Sequence, residues 1–217
     1  MKIFIPILIS LVIASCSSNN SWTCEGDCEN GEGTKIWPDG SFDKGIWKDG
    51  ELTGEGEKKF GPNSVFSGDT YHGSFKDGKY QGFGTYYDSD EDITYKGEWQ
   101  NGKSHGKGKT TSGPNSKHPG EFYDGEWKNG EKHGYGIWYL GGVGKDFFDQ
   151  RYEGEWINGD REGHGKYYWE DKSYYEGSFA KDEKHGKGKI HYPSGEVFEG
   201  VWDDGYCQEL AIKLGLE

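Results

Sequence analysis

The sequence predicts an all-β chain, an elongated single-layer antiparallel solenoid of β-hairpins with a short C-terminal cap. Three observations predict it. The string Tyr-x-Gly-x-Trp/Phe-x-x-Gly-x-x-x-Gly-x-Gly recurs along the chain, and self-similarity at a fixed short period is the mark of a repeat architecture. An Asp-Gly or Asn-Gly pair follows the Trp or Phe in nearly every copy, the strongest short hairpin signal. Composition agrees: of 217 residues only 31 % are apolar, 16 % are aromatic and 38 are glycine. A helical bundle is excluded, since each glycine costs a helix about 1 kcal/mol. Disorder is excluded too, because disordered chains lack aromatics.

In chain order, residues 1–15 read as a leader. Met1-Lys2 is a short positive start and Ile3–Ile13 an apolar run broken only by Pro6 and Ser10. That run falls short of the roughly 20 residues that span a bilayer and fits a secretory signal peptide. It ends Ile13-Ala14-Ser15-Cys16, which resembles the bacterial lipobox and makes Cys16 the expected site of lipidation. An ordinary leader cut near Ala14 or Ser15 is the alternative, with Cys16 incidental. Residues 16–27 read as a polar tether. Within it begins a pair, Cys24 and Cys28, whose spacing in an oxidising compartment predicts a small disulfide.

Residues 28–205 carry about seven repeats. The glycine before each Trp or Phe falls at 45, 73, 97, 125, 154, 177 and 200, which implies a basic period of 23 with insertions in the links. Tyr, Gly and Trp alternate at i, i+2 and i+4, so they share one face of the outgoing strand. The turn pairs Asp49-Gly50, Asp77-Gly78, Asn101-Gly102, Asn129-Gly130, Asn158-Gly159 and Asp204-Gly205 suit a two-residue type I′ turn. The return strand brings Gly-x-Gly, again on one face, so a ring can lie flat over bare glycine. Two copies depart from the pattern: Asp43 stands where Tyr is expected, and Asp182 replaces the turn glycine, which predicts an irregular sixth turn. Residues 206–217 form the cap, with Leu210, Ile212 and Leu214 expected to cover the open edge of the last strand.

These residues resemble the MORN (membrane occupation and recognition nexus) family over about residues 28–205. The resemblance implies a twisted antiparallel sheet with an aromatic-lined side, a role in membrane association, scaffolding or assembly, and no catalysis of its own. The aromatic side around Tyr95, Trp99, Tyr123, Trp127, Tyr152 and Trp156 is the candidate partner-binding surface.

The remaining residues narrow the function. The formal charge is −13, and a nucleic-acid partner needs a basic footprint. Outward positions sort into acids on outgoing strands (Glu98, Glu126, Glu153, Glu155, Glu176) and bases on return strands (His105, Lys107, His133, His164, Lys166, His185, Lys187). Cross-strand ion pairing on a solvated face explains them better than a stripe for anionic lipid. The histidines repeat about 10 Å apart, too far to converge on one metal. Asp88-Ser-Asp90-Glu-Asp92 imitates half a calcium loop but lacks its glycine and terminal Glu. No catalytic motif, cofactor site or metal site is expected, and the chain is read as no enzyme. Cys207, far from the other cysteines, is expected as a free thiol or an intermolecular bridge, hence a possible dimer. The function expected is a lipid-anchored, non-catalytic scaffold in a bacterial cell envelope, on the outer membrane, with an unidentified protein partner. The alternative is a binding module for glycan or phospholipid.

Overall fold

The computed structural model describes residues 21–141 and 150–216. The leader and Cys16 lie outside the described residues. Two compact units divide between Lys117 and His118. The first holds β1 (Thr23–Gly26), β2 (Glu32–Ile36), β3 (Phe42–Lys48), β4 (Glu51–Lys59), β5 (Thr70–Lys76), β6 (Lys79–Asp88), β7 (Ile93–Gln100) and β8 (Lys103–Ser112). The second holds β9 (Phe122–Lys128), β10 (Glu131–Leu140), β11 (Gln150–Ile157), β12 (Asp160–Trp169), β13 (Tyr174–Ala180), β14 (Glu183–His191), β15 (Val197–Trp202) and a helix, α1 (Gln208–Leu214). Within each unit every strand pairs antiparallel with the next in sequence. The hairpin array expected from the repeat is therefore the fold.

The turns follow their chemistry. Asp49, Asp77, Asn101, Asn129, Asn158 and Asp204 take φ between 44° and 54°, and the glycine after each is also positive, the type I′ geometry whose twist matches that of the strands. The turn glycine also ties one hairpin to the one before: Gly78 N–H donates to the Leu52 carbonyl (3.0 Å) and Gly102 N–H to that of Tyr80 (2.9 Å). In the second unit Gly159 reaches Lys132 (3.0 Å) and Gly205 reaches Lys184 (2.9 Å) in the same way.

The sixth turn is regular, against expectation. Lys181 and Asp182 take φ of 50° and 71°, a type I′ turn built without glycine. Arg161 on the preceding hairpin holds it there. The Asp182 carboxylate accepts from Arg161 N–H (2.9 Å) and Nε–H (3.2 Å), and the guanidinium donates to the Asp182 carbonyl (2.6 Å). Charge-assisted bonds of this kind offset the roughly 1–2 kcal/mol that a left-handed non-glycine residue costs.

Both ends differ from the sequence expectation. The sheet starts at Thr23, inside the segment read as tether, and a Cys24–Cys28 disulfide closes the loop after β1. At the far end the cap is a helix. Leu210, Ile212 and Leu214 are spaced for one face of a strand, not of a helix. Ala211 is buried instead, while Ile212 and Leu214 are 60 % and 59 % exposed. Gly215, at φ 68°, ends the helix as left-handed glycines commonly do.

Candidate functional site

The ring face is built from a repeated contact between tyrosine and glycine. A Cβ placed on Gly165 would sit 2.5 Å from the Tyr152 hydroxyl and 2.6 Å from its ring, so only bare backbone fits beneath the ring. Gly84, Gly108, Gly136 and Gly188 lie in the same way under Tyr71, Tyr95, Tyr123 and Tyr175. Each phenol then donates to the carbonyl three residues on: Tyr71 to Ser74 (3.0 Å), Tyr95 to Glu98 (2.8 Å), Tyr123 to Glu126 (2.9 Å), Tyr152 to Glu155 (3.0 Å) and Tyr175 to Ser178 (3.0 Å). Burial pushes these phenols well above their ordinary pKa, that of Tyr175 to about 12, so they remain neutral donors.

Each tyrosine meets the Trp or Phe of its own strand edge-on, and Tyr71, Tyr123, Tyr152 and Tyr175 also meet that of the next hairpin. In the second unit the ladder runs Trp127, Tyr123, Trp156, Tyr152, Phe179, Tyr175, Trp202, with centroids 5.0–5.3 Å apart. Such edge-to-face pairs add about 0.5–1.5 kcal/mol each beyond area burial. Indole N–H groups reach back to the preceding glycine carbonyl: Trp47 to Gly33 (2.9 Å), Trp99 to Gly84 (3.2 Å) and Trp156 to Gly136 (3.3 Å).

The six residues expected to meet a partner are therefore committed to packing. Tyr95, Trp99, Tyr123, Trp127, Tyr152 and Trp156 are only 0–6 % exposed, because each ring is covered by its neighbours in the ladder. They form the floor of this face. Rings nearer the link ends stay half-buried: Phe60 in the first unit, and Trp138, Tyr167, Trp169 and Tyr192 in the second.

The two glycines of Gly-x-Gly do different work, which the sequence did not reveal. Every return strand from β4 to β14 carries two extra residues opposite the outgoing strand; Gly97 pairs Gly108, yet Glu98 pairs His105. The first glycine takes the left-handed turn of this bulge, with φ of 57° at Gly106 and 63° at Gly163. The glutamate opposite closes it. Glu98 Oε1 accepts from Lys107 N–H (2.9 Å) and Glu155 Oε1 from His164 N–H (3.1 Å). These two acids thus bond backbone and, among the described residues, do not pair with the repeat bases. Ion pairing does appear further along the second unit, at Lys166–Glu176 (3.3 Å) and Lys189–Glu199 (2.6 Å).

A second pattern went unread: the polar residue two before Tyr. It faces the ring side at the link end and accepts from an aromatic of the return strand. Trp138 Nε1–H donates to Glu121 (2.7 Å) and the Tyr167 hydroxyl to Gln150 (2.5 Å), and the Tyr86 hydroxyl bonds Asp69. At the odd position Asp43, buried where a tyrosine would stand, the carboxylate meets Lys58 (3.1 Å) and the Trp37 indole (3.4 Å).

Cations cover the ring ladder of the second unit. Lys132 Nζ lies 5.0 Å from the Tyr123 ring and 4.8 Å from that of Trp156. Arg161 lies over Tyr152 and Tyr167, and Lys184 over Trp169 and Tyr175. Burial lowers the Lys132 ammonium to about 8, with Arg161 pushing the same way and Glu121 and Asp182 opposing.

The acidic loop spends its carboxylates locally. Asp88 accepts from the N–H groups of Asp90 (3.1 Å) and Glu91 (2.9 Å), and Asp92 from the Tyr87 hydroxyl (3.1 Å) and Asn115 N–H (2.8 Å). Among the described residues His185, Asp203 and Asp204 bring one donor atom each within 4.8 Å of one another, all exposed. Open acidic groups of this kind are ordinary surface features. Cys207 is a free thiol, 5 % exposed, and burial raises its pKa. Among the described residues no helix is long and apolar enough to cross a membrane.

Comparison with known families comes to one finding. The profile of the family described as MORN repeat matches seven stretches, residues 29–42, 44–65, 71–93, 95–117, 123–141, 152–174 and 175–197.

Proposed function

Since the chain belongs to the MORN-repeat family, whose hairpins form repeat scaffolds for protein or membrane interactions, we propose that it is a lipid-anchored, non-catalytic scaffold of a bacterial envelope. An acyl group on Cys16 holds it to the membrane, and its outer face meets a protein partner. The observation that carries this reading is the self-covering of the ring face. With the ladder closed over, the strand residues that expose the most apolar surface point outward. Phe83 is 56 % exposed in the first unit, and Tyr135 and Ile157 are 55 % and 49 % exposed in the second. Tyr135 lies across from Glu155 in the β10–β11 pair, two residues short of Ile157. An exposed aromatic beside a charged residue has the make-up of a protein contact. The acyl chain, not the repeats, supplies the membrane, which suits a chain of charge −13.

The anchor and the contact are tested separately. Cys16→Ser moves the protein from the membrane to the soluble fraction and abolishes incorporation of labelled fatty acid; retention of both refutes the anchor. Cross-linking in intact envelopes yields a discrete hetero-adduct that Tyr135→Lys and Ile157→Lys remove without loss of stability. An adduct unchanged by both variants, or none in the wild type, refutes the contact. Trp127→Ala is no test of contact, since that ring is 6 % exposed.

A further inference from the structure

The second unit has a cleft of about 690 Å³ at the link ends of β11 to β14, lined by Gln150, Trp169, Glu170, Asp171, Ser173, Ile190 and Tyr192. Its two rings are equivalent residues of successive repeats. Each opens a five-residue link: Trp169 N–H donates to the Ser173 carbonyl (3.0 Å), and Tyr192 N–H to that of Glu196 (2.9 Å). Each link also returns an N–H to the ring residue's carbonyl, from Lys172 (3.0 Å) and Gly195 (2.9 Å). The rings stand two strands apart, about 10 Å, with Ser173 at the register position between them and Ile190 two residues before Tyr192 on the same strand. Trp169 is braced, its ring 5.5 Å from that of Tyr167 and under the Lys184 ammonium at 4.9 Å, so it is set before a ligand arrives.

The polar lining is rich in acceptors. Asp171 uses one oxygen on Ser173, accepting from its N–H (2.9 Å) and hydroxyl (2.5 Å), and these bonds keep it ionised. Its other oxygen has no hydrogen-bond partner among the described residues. Glu170 is exposed beside it. Gln150 engages its carbonyl with Tyr167 and keeps its amide N–H groups as donors.

From this geometry we infer that the cleft is a carbohydrate-binding site for neutral sugar rings of an oligosaccharide. Three chemistries compete for two aromatic platforms. A phosphate-bearing headgroup is disfavoured, since Glu170 and Asp171 repel an anion. A proline-rich segment in extended helix presents carbonyl acceptors to a wall that itself consists of acceptors. A pyranose fits both halves of the lining. Its C–H face buries apolar area on indole or phenol, and its hydroxyls donate to the carboxylates in charge-assisted bonds. The site shares no residue with the outer-face contact, and failure of that contact leaves it standing.

The experiment is isothermal titration of the full-length protein in mild detergent with β-linked tetramers of glucose and of N-acetylglucosamine, with inorganic phosphate and anionic phospholipid vesicles as the other arms. Saturable binding of a tetramer is expected, weakened about tenfold or more by Trp169→Ala and Tyr192→Ala and left unchanged by Trp37→Ala, the equivalent ring of the first unit. Glu170→Gln weakens binding by a smaller factor and, being an exposed substitution, keeps the test alive if a ring variant fails to fold. The inference is overturned if neither tetramer saturates the protein. It is also overturned if phosphate or vesicles bind in their place, or if a folded Trp169→Ala or Glu170→Gln variant binds like wild type.

Discussion

Replacing Gly165 by alanine puts the ring-on-glycine contact to a direct test. The added methyl would lie 2.5 Å from the Tyr152 hydroxyl, 2.6 Å from Cε2 and 2.7 Å from Cζ. Tyr152 is wholly buried and is flanked by Trp156 and Phe179 at 5.2 and 5.0 Å, so the ring must lift from its seat. Overpacking of this kind costs about 1–3 kcal/mol. Lifting the ring also breaks the 3.0 Å bond from its hydroxyl to the Glu155 carbonyl, worth about 1 kcal/mol more. A loss of about 2–4 kcal/mol is expected. Tyr152→Ala alone costs about 3–5 kcal/mol. In that background Gly165→Ala should cost almost nothing, since its methyl enters vacated space. The coupling in the cycle is then about 2–3 kcal/mol. Urea unfolding followed in parallel by tryptophan fluorescence and circular dichroism measures it, the paired probes guarding against stepwise melting of a repeat array. The reasoning is refuted if the two substitutions add to within about 0.5 kcal/mol. It fails equally if Gly165→Ala is no worse than Gly159→Asn, a turn position with open space around it that Asn tolerates at a cost below about 1 kcal/mol.

Three further outcomes follow from the geometry. Asp182→Ala loses both the left-handed tolerance of Asp and the two carboxylate bonds to Arg161, for about 2–4 kcal/mol. Asp182→Gly keeps the turn and costs about 1 kcal/mol less, and equal losses in urea unfolding would rule out this account of the sixth turn. Lys132, lowered to about 8 against an ordinary value near 10.4, binds fewer protons folded than unfolded between those values, so its contribution to stability rises with pH across that window. The ammonium is wrapped by rings while the residue as a whole is half-buried, so the gain is roughly 1–3 kcal/mol. Unfolding curves from pH 7 to 10 should lose that slope in Lys132→Met, and an unchanged slope assigns it elsewhere. In a Cys16→Ser background, Cys207 should resist thiol reagents when folded and react fully in denaturant. Rapid labelling of the native protein would contradict its burial at the N-cap of α1.

The fold was legible because its rule is local. Asn-Gly and Asp-Gly pairs dictate the turn, and spacing of two sets Tyr, Gly and Trp on one face whatever lies far off in sequence. What stayed hidden depends on partners across strands. Gly106 and Gly108 look alike in the sequence, yet one bends a bulge and the other seats Tyr95, because only strand register separates them. Glu98 looked like a surface acid until the bulge placed a free N–H beside it. Asp182 predicted an irregular turn because its support, Arg161, lies a hairpin away. The burial of the six rings stayed hidden for a related reason. Periodicity shows which face the rings share but not that each ring is covered by the next, which follows only from strand spacing. The tail's apolar residues were expected to cover the last strand's edge, but the helix turns Ile212 and Leu214 outward and buries Ala211.

The ties between consecutive hairpins, turn glycine to earlier carbonyl and indole to earlier glycine, give the array a grammar of length. Gain or loss of a whole 23-residue unit keeps every phenol above a bare backbone and every indole within reach of its carbonyl. An indel of one residue inside a strand turns the face over and sets ring against ring. Such a chain can change its reach in whole copies while remaining intolerant of small slips, and variation in size should therefore be confined to the links and to the number of units.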